Sequence, residues 1–217
     1  QGALHSGGSA SSTEAGAAQS AGDKPHHAPS SPGWEPGARD GRGAYDDDGE
    51  CCGVVLNELV IDRGQATSLT CLEVYADRHF VTVIAGDGLI VATPTGSTAY
   101  NLAAGGSMIH PGVPAMLFTP ICPHTLASRP LVFPDNVTLS IRVSLDSRAG
   151  AYCGFDGKNR MHLRPGDGLV IKLSQWPVPT VCNLDASHDW FLAARDGLNW
   201  NVRHAQDPLH SPPRLER

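Results

Sequence analysis

The chain has 217 residues, with 22 acidic and 16 basic side chains, a formal net charge of −6 and 41% hydrophobic residues. That length suits one or two domains, and no apolar run approaches the roughly 20 residues that a membrane span requires. Residues 1–50 hold 8 acidic and 3 basic side chains, so of the total of −6 about −1 remains for residues 51–217. A nearly neutral body of this kind lacks the clustered basic footprint of a nucleic-acid binder.

In chain order, residues 1–50 come first, and 30 of them are Gly, Ala, Ser or Pro. Leu4, Trp34 and Tyr45 are the only large apolar residues there. Such a segment buries too little surface to offset its ordering entropy and is expected to be a disordered linker or insertion. The chain opens on Gln1 with no charged region followed by an apolar stretch, so no signal peptide is expected. An intracellular protein is expected, cytoplasmic unless an upstream segment directs it to an organelle. Six cysteines (Cys51, Cys52, Cys71, Cys122, Cys153 and Cys182) show neither CxxC nor metal-ligand spacing, and the ten histidines show no HxxxH or HExxH pattern. Reduced, mostly buried thiols and no metal site are expected.

From residue 51 short apolar stretches follow one another. They are Val54–Ile61, Cys71–Ala76, Phe80–Ile84, Leu89–Ala92, Ala115–Ile121, Leu131–Phe133, Val137–Val143, Ala151–Phe155, Arg160–Leu163, Leu169–Leu173 and Thr180–Asn183. Many alternate in polarity and are bounded by Gly, Pro, Asp or Asn, which is the signature of strands. Tyr75–Phe80 and Phe155–Arg160 read as hairpin turns. Roughly ten strands at 8–15-residue spacing predict a mainly β, sandwich-like domain. Two helices are predicted, one over about Ser97–Ala104 and one over His188–Arg195 with Ser187 as its N-cap. Residues 51–204 form the expected folded domain and 205–217 a flexible tail.

The richest stretch chemically is Asp87-Gly-Leu-Ile-Val-Ala-Thr-Pro-Thr-Gly-Ser-Thr-Ala-Tyr100, followed by Asn-Leu-Ala-Ala-Gly-Gly106. A strand breaks into a run of small residues that opens a helix, a place where free backbone N–H groups meet an anion or polar ligand. Gly96 permits close approach, and Thr95, Ser97 and Thr98 add hydroxyls.

This stretch, with His110-Pro111 behind it, resembles the second signature of the NAD kinases, which phosphorylate the adenosine ribose 2′-hydroxyl of NAD. Leu56-Asn57-Glu58 through Gly64 resembles the family's Asn-Glu segment. Pro120-Ile-Cys-Pro-His-Thr-Leu-Ala-Ser-Arg-Pro-Leu-Val132, Phe155-Asp156-Gly157 and Trp190-Phe191…Leu198-Asn-Trp-Asn201 follow in family order. The resemblance runs from about Val54 to Arg203, and its wording is closer to eukaryotic than to bacterial members. It implies the β-rich C-terminal domain of a two-domain enzyme. The N-terminal α/β domain, with the family's Gly-Gly-Asp-Gly-Thr motif and its general-base Asp, is absent from these residues. Gly86-Asp87-Gly88 and Gly166-Asp167-Gly168 are not displaced copies of that motif.

The resemblance assigns dinucleotide contacts residue by residue. Asn57 and Glu58 would bracket adenine or ribose, whereas the residues alone suggest a polar pair at a strand turn. Asp87 would face the nicotinamide end, often of a neighbouring subunit's ligand. Thr95, Gly96, Ser97, Thr98, Ala99 and Tyr100 would line the adenine and ribose site, with Asn101, Leu102 and Ala103 continuing its wall. Tyr100 could equally be an aromatic at the core's edge. Asp156 or Lys158 would reach the ligand from a hairpin turn, Lys158 as a point charge for phosphate. Ser68 aligns with a ligand-near position of some members. For His124 and Arg129, loop-fixing hydrogen bonds are the better expectation. The implied substrates are ATP and NAD with Mg²⁺, and the implied assembly is a homo-oligomer, a dimer or tetramer. A chain without the base would be inactive alone. The rival expectations are a non-catalytic NAD(P)-binding or assembly module and, more distantly, a related lipid kinase.

Overall fold

The computed structural model describes residues 53–201. The linker expected over 1–50, Cys51, Cys52 and the tail expected over 205–217 lie outside them. Ten strands form: β1 (Glu58–Asp62), β2 (Thr70–Ala76), β3 (His79–Gly86), β4 (Gly88–Ala92), β5 (Ala115–Ile121), β6 (Leu131–Pro134), β7 (Leu139–Val143), β8 (Ala151–Phe155), β9 (Lys158–Leu163) and β10 (Gly168–Ile171). They build two antiparallel sheets, one ordered β6-β5-β4-β1-β8-β9 and one ordered β10-β7-β2-β3.

Alternation along the strands explains the layering. Leu59 and Ile61 of β1, Leu89 and Val91 of β4, and Met116 and Phe118 of β5 share one core with Leu72, Val74, Leu139, Ile141 and Val143 of the other sheet. The intervening Ile90, Ala92 and Leu117 point to the opposite face, where Ala104 and Ile109 pack on them. Strands covered on both faces read as continuous apolar runs, and every residue of β4 is buried. This second face is where the chain after β4 lies.

Both predicted hairpins form. Asp77 and Arg78 turn β2 into β3 with φ of 48° and 70°, and Asp156 and Gly157 turn β8 into β9 with φ of 46° and 70°. Positive φ at both central positions suits the twist of the flanking strands.

Four expectations are corrected. Thr180–Asn183 is not a strand; Pro177 and Pro179 precede it, and a residue without N–H cannot donate to a ladder. The first helix is broken into a 3₁₀ turn, Thr95–Thr98, and a single α turn, α1 (Tyr100–Ala103), because Ala99 adopts φ −92°, ψ −131° between them. The second helix, α2 (Ala186–Leu192), is capped by Asp185, whose carboxylate accepts from the N–H groups of Ser187 and His188. It runs on into a π turn, Ala193–Gly197. Of the four cysteines among the described residues, Cys122 and Cys182 are exposed rather than buried, and no disulfide joins any of the four.

Candidate functional site

Three segments distant in sequence converge where β1 begins. Thr93, just past β4, donates its N–H to the Asn57 carbonyl (2.9 Å) and its hydroxyl to the Leu56 carbonyl (2.6 Å). The same hydroxyl accepts the Gly96 N–H at 3.1 Å, so Thr93 caps the 3₁₀ turn as an N-cap residue caps a helix. Gly96 lies against Asn57 so closely that a Cβ would sit 2.1 Å from the Asn57 carbonyl oxygen. From the other side comes Asp156. Its carboxylate accepts from the backbone N–H groups of Leu56 (2.7 Å), Asn57 (2.9 Å) and Glu58 (3.0 Å), and its own N–H donates to the Glu58 carbonyl (3.0 Å).

Glu58 reaches the start of α1, where the Tyr100 N–H hydrogen-bonds its carboxylate. Burial, and next the neighbouring Asp156 carboxylate, push the Glu58 carboxyl above its ordinary value, with the Tyr100 N–H opposing. Its Oε2 is buried and has no hydrogen-bond partner among the described residues. Burial acts to raise Asp156 as well, but the N–H groups of Leu56, Glu58 and Asn57 and the charge of Lys158 outweigh it and hold this carboxyl below its usual range.

The predicted residues sort by exposure. Thr95, Tyr100 and Ala103 are exposed, and Thr98, Ala99, Asn57 and Glu58 are partly so. Tyr100, 44% exposed, is no core-edge aromatic. Ser97 is fully buried, and its hydroxyl both donates to the Ile109 carbonyl (3.1 Å) and accepts the Ile109 N–H (3.0 Å). Asn101 is fully buried too, which removes it from the pocket wall. Its amide donates to the Ser97 (2.9 Å) and Ser107 (3.0 Å) carbonyls and accepts the Thr119 hydroxyl (2.7 Å). Gly106 packs on it so closely that a Cβ would lie 2.1 Å from Asn101 Oδ1. These side chains hold the loop rather than face outward. Lys158 is exposed at the start of β9.

Asp87 is not in this cluster. Gly88 pairs with Asp62 at one end of β4 and Ala92 with Glu58 at the other, about 14 Å away at the usual rise of a strand. Its carboxylate pairs with the Arg63 guanidinium at 2.7 Å. Ser68, between β1 and β2, follows the same far end. The Arg129 guanidinium donates to the Leu126 and Ser128 carbonyls of its own loop, and the main-chain N–H of His124 donates to the Ala85 carbonyl. A cleft of about 300 Å³ beside them, lined by Val83, Phe118, Pro120 and Leu131 among others, touches none of the cluster. His110 accepts the Gly112 N–H at Nδ1 and meets Trp190 edge-to-face (centroids 5.1 Å apart) and Phe191 at a tilt (5.9 Å), tying α2 to the loop after α1.

Sequence reasoning missed Thr93 and Thr119. A Thr before Pro94, three residues ahead of Gly96, is a readable N-cap signal. Thr119, inside an apolar strand, carries no such signal. Among the described residues no group of three or more His, Cys, Asp or Glu side chains is placed to hold a metal, and no helix is long and apolar enough to cross a membrane.

The fold and the cluster define a two-sheet β domain that presents a Thr-Gly-Ser-Thr loop beside an acid–amide pair. Residues 56–182 match the family model described as the ATP-NAD kinase C-terminal domain, and the chain belongs to that family. It is 55% identical over 153 residues to putative NAD kinase 3 of Oryza sativa subsp. japonica, covering 70% of this chain and 31% of the relative. It is 50% identical over 155 residues to an ATP-NADH kinase of Saccharomyces cerevisiae, covering 71% and 31%. Among solved structures it resembles yeast NADH kinase complexed with NADH, with a TM-score of 0.62 and 31% identity over 76% of this chain and 50% of that one. It also resembles an NAD kinase from Archaeoglobus fulgidus in complex with ATP, with a TM-score of 0.57 and 25% identity over 65% and 54%. The chain thus spans about a third of the length of these two curated relatives.

Proposed function

We propose that this chain is the acceptor-binding part of an enzyme that transfers the γ-phosphoryl group of ATP to the adenosine ribose 2′-hydroxyl of NAD. In the reaction the 2′-oxygen forms a bond to the γ-phosphorus, ADP leaves, and the hydroxyl proton passes to a base. Catalysis of this kind rests on positioning and electrostatics. The chain's share is positioning. Asn57 offers an amide, Glu58 a carboxylate oxygen, and Thr95, Thr98 and Tyr100 hydroxyls and a ring face on one surface. The observation that carries this reading is Glu58 Oε2, a desolvated acceptor with no protein donor, set between Asn57 and the start of α1. Buried acceptors without partners are costly, and a ligand amino or hydroxyl group would satisfy this one. Mg²⁺ would act on the ATP phosphates. No donor set for it lies among the described residues, so no step here runs through it.

A homo-oligomer also follows from this reading. Asp87 stands a strand's length from its own chain's cluster, a placement that fits its serving a neighbouring copy's ligand. We further place the protein inside the cell, with an organelle as the alternative compartment; an Arabidopsis thaliana relative is named chloroplastic.

Calorimetric titration of the purified chain with NAD, together with an assay with ATP, Mg²⁺ and NAD, tests the division of labour. NAD binding without NADP formation is expected. Robust NADP formation would refute the claim that the base lies outside these residues.

A further inference from the structure

We infer that Asp156 is a positioning residue of the acceptor site, which fixes the Asn57–Glu58 segment from below rather than touching the ligand. This rests on the acceptor-site reading above. Both carboxylate oxygens are already engaged: Oδ2 accepts from Leu56, and Oδ1 accepts from Asn57 and from Glu58. Three successive N–H groups turned on one carboxylate, about a hundred residues away in sequence, take three of its roughly four acceptor sites and commit it to the backbone more than to a dinucleotide. The turn aims it there. Asp156 at φ 46° and Gly157 at φ 70° turn the β8–β9 connection beside the start of β1, and the Asp156 N–H adds a fourth bond to the same segment at the Glu58 carbonyl.

The opposite side of the segment is held by Thr93, through the Leu56 and Asn57 carbonyls. Donors on one side and acceptors on the other are therefore both satisfied, so the Asn57 and Glu58 side chains leave a backbone that has little freedom left. Charge-assisted bonds of this kind are about twice as strong as neutral ones, and the lowered carboxyl of Asp156 keeps it ionised wherever the protein works. Lys158 balances that charge from the other end of the turn and remains exposed toward solvent.

The test is a double-mutant cycle on NAD affinity in the 217-residue chain, read beside amide hydrogen exchange without ligand. Asp156→Ala should speed exchange at the Leu56, Asn57 and Glu58 amides by roughly tenfold or more and weaken NAD binding about five- to tenfold, the loss of one strong hydrogen bond's worth of order. Asp156→Asn, which suits the same left-handed turn, keeps one acceptor oxygen for the Asn57 and Glu58 N–H groups but sets its NH2 against the Leu56 N–H, so it should recover part of both and remains readable if the alanine variant fails to fold. In an Asn57→Ala background the Asp156 substitution should weaken affinity clearly less than in the parent, since one of the two groups it positions is gone and only Glu58 is left. Ile141→Val, in the core of the other sheet, lowers stability without touching this segment and should leave affinity unchanged. Additive effects of Asp156 and Asn57, or unchanged exchange at the three amides, overturn the proposal. Faster exchange with an NAD affinity that Asn57→Ala does not alter would refute the acceptor-site reading, and with it the proposal, while leaving the anchoring of the segment intact.

Discussion

Replacing Gly96 by Ala adds one methyl group to the tightest contact in the cluster. The new Cβ would lie 2.1 Å from the Asn57 carbonyl oxygen, 2.5 Å from its carbon and 2.7 Å from Asn57 Cα. Carbon and oxygen approach to about 3.3 Å at closest, so the two backbones must separate by roughly 1.2 Å. All three opposing atoms are main chain, and no rotamer change relieves them. The separation would stretch the Thr93 N–H bond to Asn57 from 2.9 Å past the hydrogen-bonding range. A lost bond costs about 0.5–1.5 kcal/mol and overpacking about 1–3 kcal/mol, so a total of roughly 2–4 kcal/mol is expected. Urea unfolding monitored by tryptophan fluorescence gives the number, and the melting temperature should fall by about 2–4 °C per kcal/mol for a chain of this size. Gly197→Ala is the control, since its Cβ would meet nothing within 4 Å. If the two variants unfold within about 0.5 kcal/mol of each other, the close approach of Gly96 to Asn57 is wrong.

Asn101→Ala should cost about 2–4 kcal/mol in the same unfolding assay, because it strands the Ser97 carbonyl and the Thr119 hydroxyl in the core and leaves the part-buried Ser107 carbonyl without this donor; a change under 1 kcal/mol would mean the network is not formed. Asn57→Ala should raise the dissociation constant for NAD several-fold to about tenfold and leave ATP binding much less affected, as read by titration; a selective loss of ATP would contradict the acceptor assignment. Glu58 titrates above its ordinary value in the folded chain, so its contribution is fully present below the unfolded value of 4.5 and is lost as pH rises through the folded one. Stability of Glu58→Gln relative to the parent should therefore increase from acid to neutral pH, and a flat difference across that range would show the group is not desolvated. Asp156 has the opposite sign: its contribution is present above the ordinary 3.8 and is lost as pH falls through its lowered value, so Asp156→Asn should lessen acid sensitivity below that point.

The sandwich was legible because strand alternation is a local signal: ten of the eleven apolar stretches begin or end within two residues of a strand's first or last residue, and both hairpins declare themselves through Asp-Arg and Asp-Gly turns. The helices were less so. Ser97–Ala104 has helical composition, yet Ala99 breaks it, between Ser97, bonded to Ile109, and Asn101, bonded to Thr119, partners that no local pattern announces. Exposure at the site was the least readable property. Ser97, Thr98 and Asn101 are alike as small polar residues, and only tertiary packing decides that two of them are sealed inside. Asp156 was visible as a turn residue, but nothing local says that its carboxylate points a hundred residues back along the chain.

The meeting of Thr93, Asn57 and Asp156 carries a kinetic consequence. These residues come from the first, fourth and eighth strands or their ends, and their mutual bonds span 37 and about 100 positions. Long-range pairings form only after costly loops have closed, which makes such topologies slow to fold, on the order of milliseconds to seconds. No fragment ending before residue 156 can complete the arrangement, and a peptide carrying the Thr-Gly-Ser-Thr word alone lacks both flanking anchors. During synthesis the arrangement therefore comes into being late, after the ribosome has delivered the eighth strand and the turn that follows it.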